Sequence, residues 1–207
     1  MRTITLTLTT LMTLSLLACT QSPGYDDEQL VASAEEAISY TDGEAQTLGL
    51  ERDVEVLSDD RLIDEARGIA EYATEHGCDV EGVLGGVYTE TVDAPGGEIM
   101  GRWFNLDQTI GGDLTGIHDP GDDDDGGIFE GDWESSSGLV GTLAGDYYGT
   151  GDGDGYYLGT YEETDGDAAG LLGGLWFAFE DQDGGLFFGV WGHCGGGTEE
   201  VEPESYE

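Results

Sequence analysis

From residue 83 onward the chain repeats one unit: an apolar residue, any residue, a glycine, any residue and a second apolar residue. The units are VLGGV, IMGRW, LTGIH, FEGDW, LAGDY, YLGTY, LLGGL and FFGVW, centred on Gly85, Gly101, Gly116, Gly131, Gly145, Gly159, Gly173 and Gly189. Their spacing of 14 to 16 residues, with Gly/Asp-rich segments between, predicts a meander of eight short strands. Side chains two apart on a strand share a face, so each glycine and its apolar flanks are expected to face a common core. Trp103, Trp133, Tyr161 and Trp191 end every second unit, which makes the longer period a hairpin of about thirty residues.

Antiparallel pairing sorts the flanks into two layers. One is expected to hold Val83, Trp103, Leu114, Trp133, Leu143, Tyr161, Leu171 and Trp191, and the other Val87, Ile99, His118, Phe129, Tyr147, Tyr157, Leu175 and Phe187. Glycines between the layers leave room for rings inside a narrow wall, as alternating small and large residues do in small barrels. The fold class expected is all-β: an eight-stranded antiparallel up-and-down meander closed into a barrel, with one preceding helix packed on the seam. An open sheet or a two-layer sandwich is the alternative.

The other face is polar on strands two to six, with Arg102, Glu130, Asp132, Asp146 and Thr160. Leu84, Leu172, Trp176, Ala178, Leu186, Phe188 and Val190 are expected to make it apolar on strands seven, eight and one. A cover is needed there, and SDDRLIDEARGIAEYATEHG (58–77) supplies one. Ser58 suits an N-cap, Asp59 and Asp60 the positive end of the dipole, and Gly77 the C′ position. Its apolar stripe is Leu62, Ile63, Ala66, Ile69, Ala70 and Ala73. Residues 28–40 have the spacing of a further short helix, with Leu30, Val31, Ala34, Ala37 and Ile38 on one side.

Cys78 lies just before the first unit and Cys194 just after the last, so in an even-numbered meander both fall at one end of the seam. A disulfide between them is expected, in a compartment that permits one. The compartment is read from the N-terminus: MRTITLTLTTLMTLSLLAC has an early Arg2, an apolar run and a small-residue close, the form of a secretory signal. Leu16-Leu17-Ala18-Cys19 resembles the lipobox of bacterial lipoproteins, although Leu17 stands where a small residue is usual. The resemblance covers these residues alone. It implies cleavage before Cys19, a diacylglycerol anchor on that cysteine, membrane association through the lipid and, because Thr20 is no aspartate, the outer membrane. The expected organisation is a signal peptide at 1–18, an acylated terminus and linker at 19–57, a helix at 58–77, the barrel at 78–194 and an acidic tail at 195–207.

Charge narrows the partners. The 207 residues hold 46 acids against 5 bases, all arginine, for a formal charge of −41. A phosphate backbone is repelled by such a field, so no nucleic-acid partner is expected. A spanning barrel is set aside too, because Glu130, Asp132 and Asp146 face outward on the strands. The turns DPGDDDDGG, GTGDGDG and EDQDGG gather carboxylates at the rim away from Cys78. Asp123 with Asp125, Asp152 with Asp154, and Asp181 with Asp183 each supply part of a calcium loop without completing one, so Ca2+ is the candidate cofactor and solvated turns are the plain alternative.

No histidine pair, nucleophile elbow or phosphate loop is present, so the chain is not expected to be an enzyme. A carboxylate-dependent hydrolase would need two acids facing each other in a cleft. The leading expectation is a surface-anchored, non-catalytic structural or interaction module with an acidic, calcium-binding rim. The other is a carrier, lipocalin-like in placing a small apolar ligand in the barrel mouth near His118, Tyr147 and Tyr157. Interior volume separates the two.

Overall fold

A computed structural model describes residues 25–50, 52, 57–91, 96–121, 126–150, 153–166, 168–179 and 182–194. The sheet is a closed antiparallel barrel in which every strand pairs with its sequence neighbours and β1 (Cys78–Glu90) pairs with β8 (Gly184–Cys194). Between them run β2 (Gly97–Asn105), β3 (Gly111–Pro120), β4 (Gly126–Ser135), β5 (Val140–Gly149), β6 (Asp154–Glu163) and β7 (Ala169–Ala178). Cys78 and Cys194 are partners in the β1–β8 register and are joined by a disulfide spanning 116 residues of sequence. The bridge staples the seam, as the even strand count requires.

Two helices precede the barrel. Helix α2 (Asp59–Glu75) is the one expected on the seam, with Ser58 Oγ accepting from Arg61 N at 3.3 Å and Gly77 left-handed at φ 79°. Helix α1 (Asp27–Leu48) is longer than the apolar spacing of 28–40 indicated: Asp26 caps its start and Gly49, at φ 76°, ends it. Leu30, Ala34, Ala37 and Ile38 are buried beneath it, with Val31 half-buried. Buried Arg52 ties the helices together, its guanidinium bonded to Asp42 and Asp59 at 2.7 Å each and to the Leu57 carbonyl. Both helices lie outside the barrel, so the molecule has two apolar cores. One joins the helices to the outer side chains of β7, β8, β1 and β2; the other fills the barrel.

On every strand four residues at alternate positions face inward in the same order: glycine, apolar residue, glycine, ring. They are Gly82-Leu84-Gly86-Tyr88, Gly97-Ile99-Gly101-Trp103, Gly112-Leu114-Gly116-His118 and Gly127-Phe129-Gly131-Trp133 on β1 to β4. On β5 to β8 they are Gly141-Leu143-Gly145-Tyr147, Gly155-Tyr157-Gly159-Tyr161, Gly170-Leu172-Gly174-Trp176 and Gly185-Phe187-Gly189-Trp191.

This corrects the expected layers on two strands. On β1 and β7 the inward set is shifted by one residue: Leu84, Leu172 and Trp176 line the interior, whereas Val83, Val87 and Leu175 belong to the helix-facing core. Leu171 is on the outside and partly exposed. Gly86 and Gly174 replace Gly85 and Gly173 at the waist. Gly85 instead lets α1 approach, since a Cβ there would lie 3.1 Å from Thr41 Oγ1 and 3.5 Å from Ala37 Cβ. The cause is physical: both faces of these strands carry apolar side chains, so apolar alternation carries no preference between them.

Candidate functional site

The mid-strand glycines sit opposite each other in pairs, one pair to a hairpin: Gly86 with Gly101, Gly116 with Gly131, Gly145 with Gly159 and Gly174 with Gly189. Three pairs seat a ring from the preceding hairpin. Phe187 Cζ would meet a Cβ at Gly86 or Gly101 at 2.6 Å, Phe129 Cζ lies as close to Gly145 and Gly159, and the Tyr157 hydroxyl would be 2.5 Å from a Cβ at Gly174 or Gly189. The fourth seat belongs by position to Ile99. Its branched chain is short, and the nearest atoms to a Cβ at Gly116 or Gly131 are all backbone.

Leu84, Leu114, Leu143 and Leu172, one from each odd strand, divide the interior at mid-height and line a cavity on either side. The mouth cavity, toward the acidic turns, has a volume of about 130 Å³. Above the leucines its wall is Ile99, Phe129, Tyr157 and Phe187, and at the entrance Tyr88, His118, Tyr147 and Trp176, with Glu90 beside them. The second cavity, toward the disulfide, measures about 240 Å³ and is walled by Trp103, Trp133, Tyr161 and Trp191. A bulge between Val80 and Gly82 places Glu81 in its lining. Glu90 is the one carboxylate lining the first cavity and Glu81 the one lining the second, among the described residues.

The three mouth residues singled out in the sequence, His118, Tyr147 and Tyr157, all line the first cavity. They occupy two levels. Tyr157 is deep, and its hydroxyl has no hydrogen-bond partner among the described residues. His118 and Tyr147 are at the entrance, where His118 Nε2 is 3.1 Å from the Thr89 carbonyl oxygen. Burial pushes the Tyr157 and Tyr88 phenols well above the ordinary tyrosine value, with Glu90 and Tyr147 adding to the effect at Tyr88. Tyr147 is pushed up to about 12, by burial first and then by Glu90 and Asp119. The sequence reading missed Tyr88, Trp176 and Glu90 because it had turned the inner face of β1 and β7 outward.

Of the carboxylates proposed for calcium, Asp123, Asp125, Asp152 and Asp181 lie outside the described residues, as do Cys19 and the segment before it. Asp154 begins β6, where its carboxylate is bonded to the Thr150 hydroxyl, and Asp183 stands just before β8. Among the described residues no group of three or more ligating side chains comes together. Compared with known proteins, the chain matches no family model, no curated protein and no solved structure.

Proposed function

We propose that this chain is a non-catalytic binding module, held at the bacterial outer membrane by a lipid on Cys19, that takes a small, largely apolar molecule in the barrel mouth. The observation that supports this reading is the mouth cavity itself, about 130 Å³ and walled almost entirely by apolar and aromatic side chains, with Ile99 at the one of four equivalent positions where the others are the rings of Phe129, Tyr157 and Phe187. Apolar cavities of roughly 150 Å³ take ligands of benzene size. A purely structural barrel would gain stability by placing a ring there, because filling a cavity is favourable by about 1 kcal/mol.

The test uses that contrast. Full-length protein is titrated with benzyl alcohol and with phenol, following tryptophan fluorescence, and compared with Ile99→Phe. Binding that disappears in Ile99→Phe while the melting temperature rises supports the carrier reading. Failure of both probes to bind at millimolar concentration, with the same rise, returns the molecule to the structural reading. For the anchor, Cys19→Ala is expected to move the protein from the membrane fraction to the soluble fraction.

A further inference from the structure

The chemistry of the ligand follows from the entrance of the mouth cavity, and the inference rests on the binding reading above. Four rings close a circuit there. Centroid separations are 5.5 Å for Tyr88 and His118, 6.0 Å for His118 and Tyr147, 6.1 Å for Tyr147 and Trp176, and 6.2 Å for Trp176 and Tyr88. The corresponding planes meet at 81°, 76°, 86° and 85°. All four contacts are edge-to-face and they close on themselves, so the entrance is a circuit of four rings with sides of near-equal length.

The outer edge of every ring rests over an inward glycine of the adjacent strand, Tyr88 on Gly185, His118 on Gly97, Tyr147 on Gly127 and Trp176 on Gly155, where a Cβ would come within 2.5 to 2.8 Å of it. With sides of about 6 Å, every centroid lies within about 6 Å of the circuit's centre, the range over which a cation is held by an aromatic ring.

The charges agree with the shape. Glu90 lines the same entrance, and no cationic side chain does among the described residues. The chain has no lysine, Arg52, Arg61 and Arg67 belong to the helical layer, and Arg102 is paired with Asp113 on the outer wall. An anionic ligand would meet Glu90 unneutralised, and a bare metal ion would lose its hydration to rings that cannot replace it. An alkylated ammonium sheds little hydration and presents apolar methyl groups to the rings.

We propose that the mouth binds a small organic cation of the quaternary or alkylated ammonium class, its charge centred among Tyr88, His118, Tyr147 and Trp176 with Glu90 as counter-ion. The disulfide end offers an internal contrast. Its rings make three such edge-to-face contacts, 6.0 Å for Trp103 and Trp133, 5.4 Å for Trp103 and Trp191 and 5.8 Å for Tyr161 and Trp191, and do not close the circuit.

The probes are choline and its uncharged isostere, in which carbon replaces the quaternary nitrogen, titrated calorimetrically into the full-length chain at fixed ionic strength. Choline is expected to bind about tenfold tighter than the isostere. Trp176→Leu and Glu90→Gln should each bring that ratio close to one, and Trp133→Leu should leave it unchanged. If Trp176→Leu fails to fold, Trp176→Phe keeps a ring and should retain most of the preference, leaving Glu90→Gln to decide. Equal affinities, absence of choline binding, or a preference lost only in Trp133→Leu would each overturn the inference. The binding reading itself is decided separately, by the neutral probes and Ile99→Phe.

Discussion

The wall of this barrel has two kinds of surface, and they obey different rules. Strands β3 to β6 face water on their outer side, where Asp132, Asp146, Glu130 and Thr160 are exposed alongside Ile117, Ile128, Leu158 and the stacked pair Tyr148 and Tyr156. Strands β7, β8 and β1 are covered by α1 and α2, so Leu175, Phe177, Leu186, Phe188, Val190, Val83 and Val87 are packed on their outer side as firmly as others are inside. On the open wall one face is apolar and register is set by alternation. On the covered wall both faces are apolar, and a slip of one residue would look equally good in the sequence.

The largest test of this difference is a pair of neighbours. A Cβ on Gly86 would collide with the Met100 carbonyl and lie 2.6 Å from Phe187 Cζ, so the backbone of β2 would have to move. A Cβ on Gly85 would meet side-chain atoms at 3.0 and 3.1 Å, Phe188 Cδ2 and Thr41 Oγ1. Gly86→Ala is expected to lower unfolding free energy by roughly 3 kcal/mol or more and Gly85→Ala by about 1 kcal/mol, read from urea titrations. The reverse order would turn β1 back to the other face.

The seam comes next. Replacing Cys78 and Cys194 together by serine should cost about 3 kcal/mol, because the bridge closes a long loop in the unfolded chain. Hydrogen exchange should then rise in β1 and β8 more than in β4 and β5; a uniform rise would mean that the covered wall is not the part held by the bridge.

Alkaline pH probes the interior against the exterior. Tyr88 and Tyr157 are raised above the ordinary value of 10, and Tyr147 and Tyr161 to about 12, with burial the first cause in each. A group whose folded pKa is raised stabilises the fold fully below its unfolded pKa, and that contribution is lost as pH climbs through the folded value. Melting temperature should hold up to about pH 10 and fall between there and about pH 12. Because Tyr72, Tyr148 and Tyr156 are exposed in the folded protein, the fall should track the last part of the tyrosinate absorbance, and complete tyrosinate formation before unfolding would show that water reaches the cavities freely.

The smallest effect has the opposite sign. Gly68 lies in α2 with nothing within 4 Å of a Cβ, so Gly68→Ala should raise stability by about 0.5 to 1 kcal/mol in the same titrations. A loss would place a neighbour over that side of the helix.

Much of this architecture was written in one repeated spacing. Strand number, antiparallel order, closure through Cys78 and Cys194 and the helix at Asp59–Glu75 all follow from local signals: glycine at regular intervals, turn residues between, and caps at helix ends. A further signal was present and unused. Inward glycines come in twos, four residues apart, as in Gly97 and Gly101 or Gly141 and Gly145. Gly86 and Gly174 have such partners in Gly82 and Gly170, whereas Glu81 and Ala169 stand four before Gly85 and Gly173. That spacing alone would have set the register of β1 and β7 and brought Tyr88 and Trp176 to the mouth.

Other features had no local signature. The seat of α1 against Gly85 depends on a partner surface distant in sequence, since an amphipathic stripe says that something must cover it and not what. The aromatic box depends on four residues from four hairpins meeting at one height, and the mouth cavity on side chains contributed by strands all round the barrel. Periodicity acts along the strand and was therefore legible in order. Distances across the barrel arise only when the eight strands close at a particular stagger, and that closure decided which residues share the mouth.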